Sequence, residues 1–199
     1  MKDSWLAVSF FVSALLFAAT GSINTSSKAS AMDPRSKRLA RGEYLTTVMG
    51  CGDCHTPGAF YGAPDLKRRF AGSEVGWKGP WGVDYAANLT PDDQTGLGKW
   101  SEKDIVTALR TGMAPGGVVI QPPMPWPNMT QLSDDDAYAI AAYLKSVPAV
   151  AHAVPGHVAP GQPVTGPVIE FPPPTAWDAP RPEAQNGPLG GGAGQAGGR

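Results

Sequence analysis

The segment Cys51-Gly-Asp-Cys54-His55-Thr-Pro57 holds both cysteines of a 199-residue chain, and its spacing constrains the fold more than any other feature. Two thiols three positions apart, followed at once by an imidazole, have a short list of uses. A disulfide across C-x-x-C closes a loop too small to restrict the unfolded chain much. A redox dithiol of this spacing sits at a helix N-terminus after a strand. Here the preceding "DPRSKRLARGEYLTTVMG" reads as a helix and shows no strand pattern. Zinc calls for four ligands, and Cys51, Cys54 and His55 supply three, with no second cysteine pair to complete the set.

The spacing instead matches covalent attachment of haem c. From one turn of chain both sulfurs reach the vinyl groups on one porphyrin edge, and the next residue, histidine, becomes the proximal iron ligand. The expectation is one haem c per chain, held by Cys51 and Cys54, with His55 on the iron.

The sixth iron position is open to Met113, Met124 and Met129 among residues distant from the motif. Met124 lies in "QPPMPWPNMT", where Pro122, Pro123 and Pro125 restrict the backbone on both sides. A stiff loop pressing a thioether on iron suits a carrier that reorganises little, so Met124 is the expected distal ligand and Met129 the alternative. His152 and His157 lie in Pro/Gly-rich chain, where a swapped histidine ligand is a further option.

The N-terminus points to export. Lys2 precedes the apolar run Trp5 to Ala19, short for a bilayer span, and a polar stretch ends in "ASA" at Ala29–Ala31. Residues 1–31 are expected to be a signal peptide, which places the protein in a periplasm; an uncleaved segment would anchor it to the membrane facing the same side. A net charge of -1 gives no electrostatic case for binding nucleic acid.

Three helical stretches follow. The first runs from about Arg35 to Gly50. The second, "WSEKDIVTALRTG", carries a capping pair at Ser101 and Asp104 and a stop at Gly112. The third, "LSDDDAYAIAAYLKSVP", is capped by Ser133 and ended by Pro148, and its aspartates favour the positive helix end. The chain between the first two, Thr56 to Gly98, has neither helical nor strand period and reads as a long irregular loop covering the haem. Residues 32–148 are thus the expected domain, 149–180 an extended Pro-rich arm and 181–199 a Gly-rich disordered tail.

Three segments, "CGDCHTP", "NLTPDDQTGLGKWSEKDIVTALRTG" and "MPWPNMTQLSDDDAYAIAAYLKSVP", resemble class I cytochrome c. More narrowly, they are similar to the haem domains in the cytochrome c subunits of bacterial alcohol, aldehyde and gluconate dehydrogenases. The resemblance implies an all-α fold of three main helices around one haem, the first and third crossing near Gly42 and Tyr143. It implies Met124 as axial ligand, and electron transfer without substrate chemistry between redox partner proteins, a dehydrogenase among them. Trp81, Trp100 and Trp126 either line the pocket, meet the propionates or simply cover the core; Asn88 and Thr90 either bind a propionate or hold their own turn. Those dehydrogenase subunits generally carry three haem domains, whereas this chain has one attachment motif. Two rival functions follow from the residues: a catalytic haem subunit with an open or exchangeable sixth site, and a docking subunit that assembles through Val168, Ile169, Phe171 and Trp177 of the arm.

Overall fold

The computed structural model describes residues 32–171, of which 33–171 belong to a compact unit beginning at Asp33. The expected signal peptide and the Gly-rich tail lie outside the described residues, as does Trp177 of the arm.

Helix α1 spans Pro34–Val48. Asp33 starts it by accepting from the backbone N–H of Arg35 and Ser36, and Pro34 sits where its missing N–H costs nothing. A single turn, α2, covers Cys51–Cys54. Helix α3, Glu102–Thr111, opens with the expected box: Ser101 Oγ accepts from Asp104 N–H at 3.1 Å, and Asp104 Oδ2 from Ser101 N–H at 2.9 Å. It ends where Gly112 turns left-handed at φ 67°. Helix α4, Asp134–Leu144, begins with Asp136 N–H donating to Ser133 Oγ.

Helices α1 and α4 pack most closely. They cross at Gly42, where a Cβ would overlap the Ala139 carbonyl and the Tyr143 Cβ, so the crossing requires glycine. Arg41 ties the helices at their rim through both carboxylate oxygens of Asp136, at 2.7 and 3.1 Å. The core gathers Leu45, Phe70, Leu97, Ile105, Val106, Ala137, Ile140, Ala141 and Leu144. Each large aliphatic side chain buried there contributes about 1.5–3 kcal/mol relative to exposure.

The structure departs from an all-helical plan in the long connection. Strand β1 (Gly76–Gly79) pairs antiparallel with β2 (Gly82–Tyr85) across a two-residue turn. Met113–Ala114 (β3) and Val118–Val119 (β4) form a second small ribbon. Strand β5, Val168–Glu170, lies parallel to β1 with Gly76 opposite Val168. The arm is therefore seated on the domain through its described part. Phe171 stacks on Trp77 at 5.8 Å between ring centroids and lies 5.7 Å from Trp81. Upstream of β5 the arm bridges to β2, with Val83 and Val158 exchanging backbone hydrogen bonds at 2.8 and 2.9 Å. The glycine flanks and four-residue length of β1 and β2 hide any alternation in the sequence, which is why this stretch reads as loop.

Candidate haem site

Helix α1 delivers the motif. After the C-cap Met49, Gly50 adopts φ 68°, a left-handed turn disfavoured for a side-chain-bearing residue, and the chain reverses into α2. His55 N–H then donates to Cys51 O at 3.0 Å, so both thiols and the imidazole share one turn. Cys51 and Cys54 are free and half-buried, and Cys51 packs against the core.

His55 is buried, and its Nδ1 lies 2.7 Å from the Ala87 carbonyl oxygen. A carbonyl only accepts, so Nδ1 carries the proton and Nε2 is left with its lone pair. Burial pushes the imidazole below its ordinary pKa, against the pull of the Ala87 bond, and keeps it neutral. The backbone of His55 is held as well, its carbonyl accepting from Gly72 N–H at 2.9 Å.

The thiols show the reverse of redox activation. Burial pushes Cys51 up to about 11, and burial with the nearby Asp53 carboxylate also raises Cys54. A dithiol oxidoreductase needs a depressed thiol pKa to supply thiolate. Nor do Cys51, Cys54 and His55 converge as a metal cluster: no group of three His, Cys, Asp or Glu among the described residues could hold a metal ion. Two free thiols and a neutral imidazole on one turn, spread apart rather than focused on a point, fit a haem c joined at its edge and ligated at its centre.

The three methionines occupy different settings. Met129 is buried, 4% exposed, and fills core space. Met113, in β3, is exposed and paired with Val119. Met124 is half-buried in the loop between β4 and a 3-10 turn at Trp126–Met129. The loop together with the turn that follows it is fixed at both ends by the C-terminal end of α3. Ile120 N–H donates to Gly112 O at 2.8 Å; Arg110 donates to Leu132 O at 2.6 Å and pairs with Asp134 at 2.7 Å.

The remaining candidates separate cleanly. Trp126 covers Gly112, where a Cβ would strike the indole ring. Trp81 belongs to the β1–β2 turn and donates to Trp77 O at 3.3 Å. Trp100 packs on the core, and the carbonyls of Leu97, Gly98 and Trp100 converge on Lys145 Nζ at 2.9, 2.6 and 2.9 Å. Asn88 and Thr90 are buried and bond to each other, Asn88 Oδ1 accepting from Thr90 N–H at 2.9 Å and from Thr90 Oγ1 at 2.7 Å. The Asn88 amide is spent on Thr95, Val150 and His152, so the carboxamide is fully engaged within the fold. His152 Nδ1 bonds the Ala71 carbonyl at 2.7 Å, and His157 Nδ1 pairs with Asp84 at 3.1 Å. Ala87 is the contributor that sequence reading misses; it acts through its backbone, and a carbonyl leaves no residue-type signal.

Comparison with known proteins agrees with this geometry. The chain is 35% identical over 144 residues to the cytochrome c subunit of a quinone-type alcohol dehydrogenase from Gluconobacter oxydans, covering 72% of this chain and 27% of that one. It is 38% identical over 105 residues to the gluconate 2-dehydrogenase cytochrome c subunit of Pantoea cypripedii, 53% of this chain and 22% of the other. A diheme cytochrome c-type protein of Cereibacter sphaeroides is 39% identical over 116 residues, 55% of this chain and 36% of its own length. The chain thus spans well under half the length of these curated relatives. The family model described as cytochrome c matches residues 39–148, from the middle of α1 past the end of α4. With its Cys-x-x-Cys-His turn, buried His55 and α1–α4 crossing, the chain belongs to the cytochrome c family, has the class I fold, and takes covalently bound haem c as its cofactor.

Proposed function

We propose that the chain is a periplasmic electron carrier with one haem c, joined by thioethers to Cys51 and Cys54 and ligated by His55 and Met124, that passes electrons between a dehydrogenase and an acceptor. One observation carries this reading most: a buried, neutral His55 held by Nδ1–H to Ala87 O at 2.7 Å, on the same turn as two free, unactivated thiols. Bound haem supplies a one-electron ferric–ferrous couple, and no substrate bond is made or broken.

The chain's own residues supply the rest. The His55 tautomer presents Nε2 as the donor atom, and the Ala87 bond orients the ring and strengthens it as a ligand. The Met124 thioether is a soft donor that favours the reduced state. Its setting supports the assignment: half-buried, between prolines, on a loop held at both ends, while Met129 is committed to the core and Met113 to an exposed ribbon. In this reading α1, α3 and α4, with the irregular chain between α2 and α3, enclose the haem.

The dehydrogenase partnership rests on the relatives, which are named as cytochrome c subunits of alcohol and gluconate dehydrogenases. Export rests on the apolar run Trp5 to Ala19 and the Ala29–Ala31 site. Cleavage after Ala31 would leave Asp33, the cap of α1, in place. The chain then divides into a signal peptide 1–31, a cytochrome domain 32–148, an arm 149–180 that docks through β5, and a tail 181–199. No helix among the described residues is long and apolar enough to cross a membrane.

Optical spectra of the exported protein, ferric and ferrous, with and without carbon monoxide, test the proposal. A far-red sulfur-to-iron band and a ferrous spectrum indifferent to carbon monoxide are expected. Rapid carbon monoxide binding would replace the carrier with the catalytic reading of an exchangeable sixth site. Absence of covalent haem would sink both.

A further inference from the structure

We propose that Asn88 is a positioning residue for His55, and that it does this work by clamping the proximal loop to the segment following α4. The inference rests on the haem reading above and deepens it.

The hydrogen bond from His55 Nδ1–H can orient the ring only as firmly as its acceptor is held. That acceptor is the carbonyl of Ala87, the residue before Asn88. The peptide between them is spanned by two backbone anchors, Ser73 N–H to Ala86 O at 2.9 Å and Leu89 N–H to Phe70 O at 2.8 Å. Asn88 itself is 1% exposed and uses its whole carboxamide inside the fold. Its oxygen accepts twice from Thr90, at 2.9 and 2.7 Å. Its nitrogen donates to Thr95 Oγ1 at 3.0 Å, to Val150 O at 2.8 Å and to His152 O at 3.3 Å.

Two of those acceptors lie beyond α4, outside the helices that form the core. The segment that carries them grips the site a second time. His152 Nδ1–H donates to Ala71 O at 2.7 Å, and the next residue, Gly72, donates its N–H to His55 O at 2.9 Å. The post-α4 segment therefore bears on the ring acceptor of His55 and on the stretch bonded to its backbone. No other residue type of this size supplies two donors and one double acceptor without charge. Aspartate would keep the shape, lose both donors and add a charge.

The consequence is redox rather than only structural. A short, well-aligned Nδ1–H bond makes the imidazole a stronger donor, which favours ferric iron. Loosening Ala87 weakens that bond and shifts the balance toward ferrous.

The test uses the exported, haem-loaded full chain with Asn88→Ala and, separately, Thr90→Val, which removes the hydroxyl on Asn88 Oδ1 at nearly constant shape. Both variants should retain the wild-type axial ligands. At the wild-type midpoint potential their ferrous-to-ferric ratio should rise several-fold, and the His55 Nδ1–H proton should move upfield and exchange faster with solvent. A lower melting temperature with an unmoved midpoint and an unmoved Nδ1–H resonance would overturn the proposal, because a merely structural asparagine predicts that pattern. If Asn88→Ala yields no loaded protein, Thr90→Val decides alone by the same two readouts. A wild-type protein without covalent haem would fail the underlying reading before these variants are compared.

Discussion

In the proposed haem site, the loop that orients His55 and the loop that carries Met124 are held by different means. Residues 86–90 sit in a lattice of backbone and side-chain hydrogen bonds, closed on one side by Asn88 and Thr90 and on the other by Phe70 to Ser73. Residues 121–131 have little of this. Inside that loop the backbone bonds are short-range turns, Met124 N–H to Gln121 O at 3.3 Å and Asn128 N–H to Pro125 O at 3.0 Å. Its stiffness comes from prolines that fix φ and from anchors at its two ends. The difference follows from what each proposed ligand would demand. An imidazole must be set in plane and in tautomer, which takes a directed bond to its second nitrogen. A thioether has neither tautomer nor ring plane, and three rotatable bonds let it find its place once the backbone brings it near.

Four substitutions break or sharpen this contrast. The largest effect comes from the crossing that both sides share. Gly42→Val drives its side chain into the Ala139 carbonyl and Tyr143, and it should cost about 3 kcal/mol or more, read as a collapse of the melting temperature. Next is Met124→Ala, which should abolish the sulfur–iron band and admit carbon monoxide while covalent haem and the His55 Nδ1–H signal persist. Persistence of the band in that variant would transfer the ligand role to another residue. Pro125→Gly should act on the distal side alone. By releasing the backbone it costs about 1 kcal/mol of local order, so the band should fade at a lower temperature with the midpoint barely moved.

The smallest effect is electrostatic. The bond from Arg41 holds the Asp136 carboxyl below its ordinary 3.8. A depressed carboxyl contributes stability that is present above 3.8 and lost as pH falls through the folded value. Asp136→Asn should flatten that acid limb and, because the pair is on the surface, cost about 0.5 kcal/mol near neutrality. Melting curves between pH 2 and 7 would show an unchanged slope if the pair is idle.

What could be read from the sequence divides along the same line. The attachment turn, the capping box at Ser101 and Asp104, the Ser133 cap and the Gly112 stop are local devices, written within a few residues of where they act. The Gly42 crossing came with the family resemblance. The Ala87 acceptor could not be read, since it lies thirty-two positions from His55 and acts through an atom every residue owns. Strand β5 was equally hidden, because its pairing with β1 is non-local and three residues of Val-Ile-Glu carry no pattern of their own. The expected irregular connection proved half right: chain with no period still holds a hairpin once Phe60, Trp77, Trp81 and Phe171 supply an aromatic cluster to build it on. The Met124 assignment was read from a proline-stiffened loop and from the family resemblance, and it belongs to the proposal.

The seating of the arm on β1 has a consequence in time. β1 and β2 lie far ahead of Val150, His152 and Val168 in the chain, so the sheet and the Asn88 clamp should be among the last parts of the domain to close. Contacts between distant chain positions form slowly because the loop between them must first be ordered. The attachment turn, by contrast, belongs to the early, local part of the chain. That order gives the thiols an interval of accessibility before the fold shuts over them, and a chain ending after Val147 should lengthen it, measurable as prolonged alkylation of Cys51 and Cys54 during refolding.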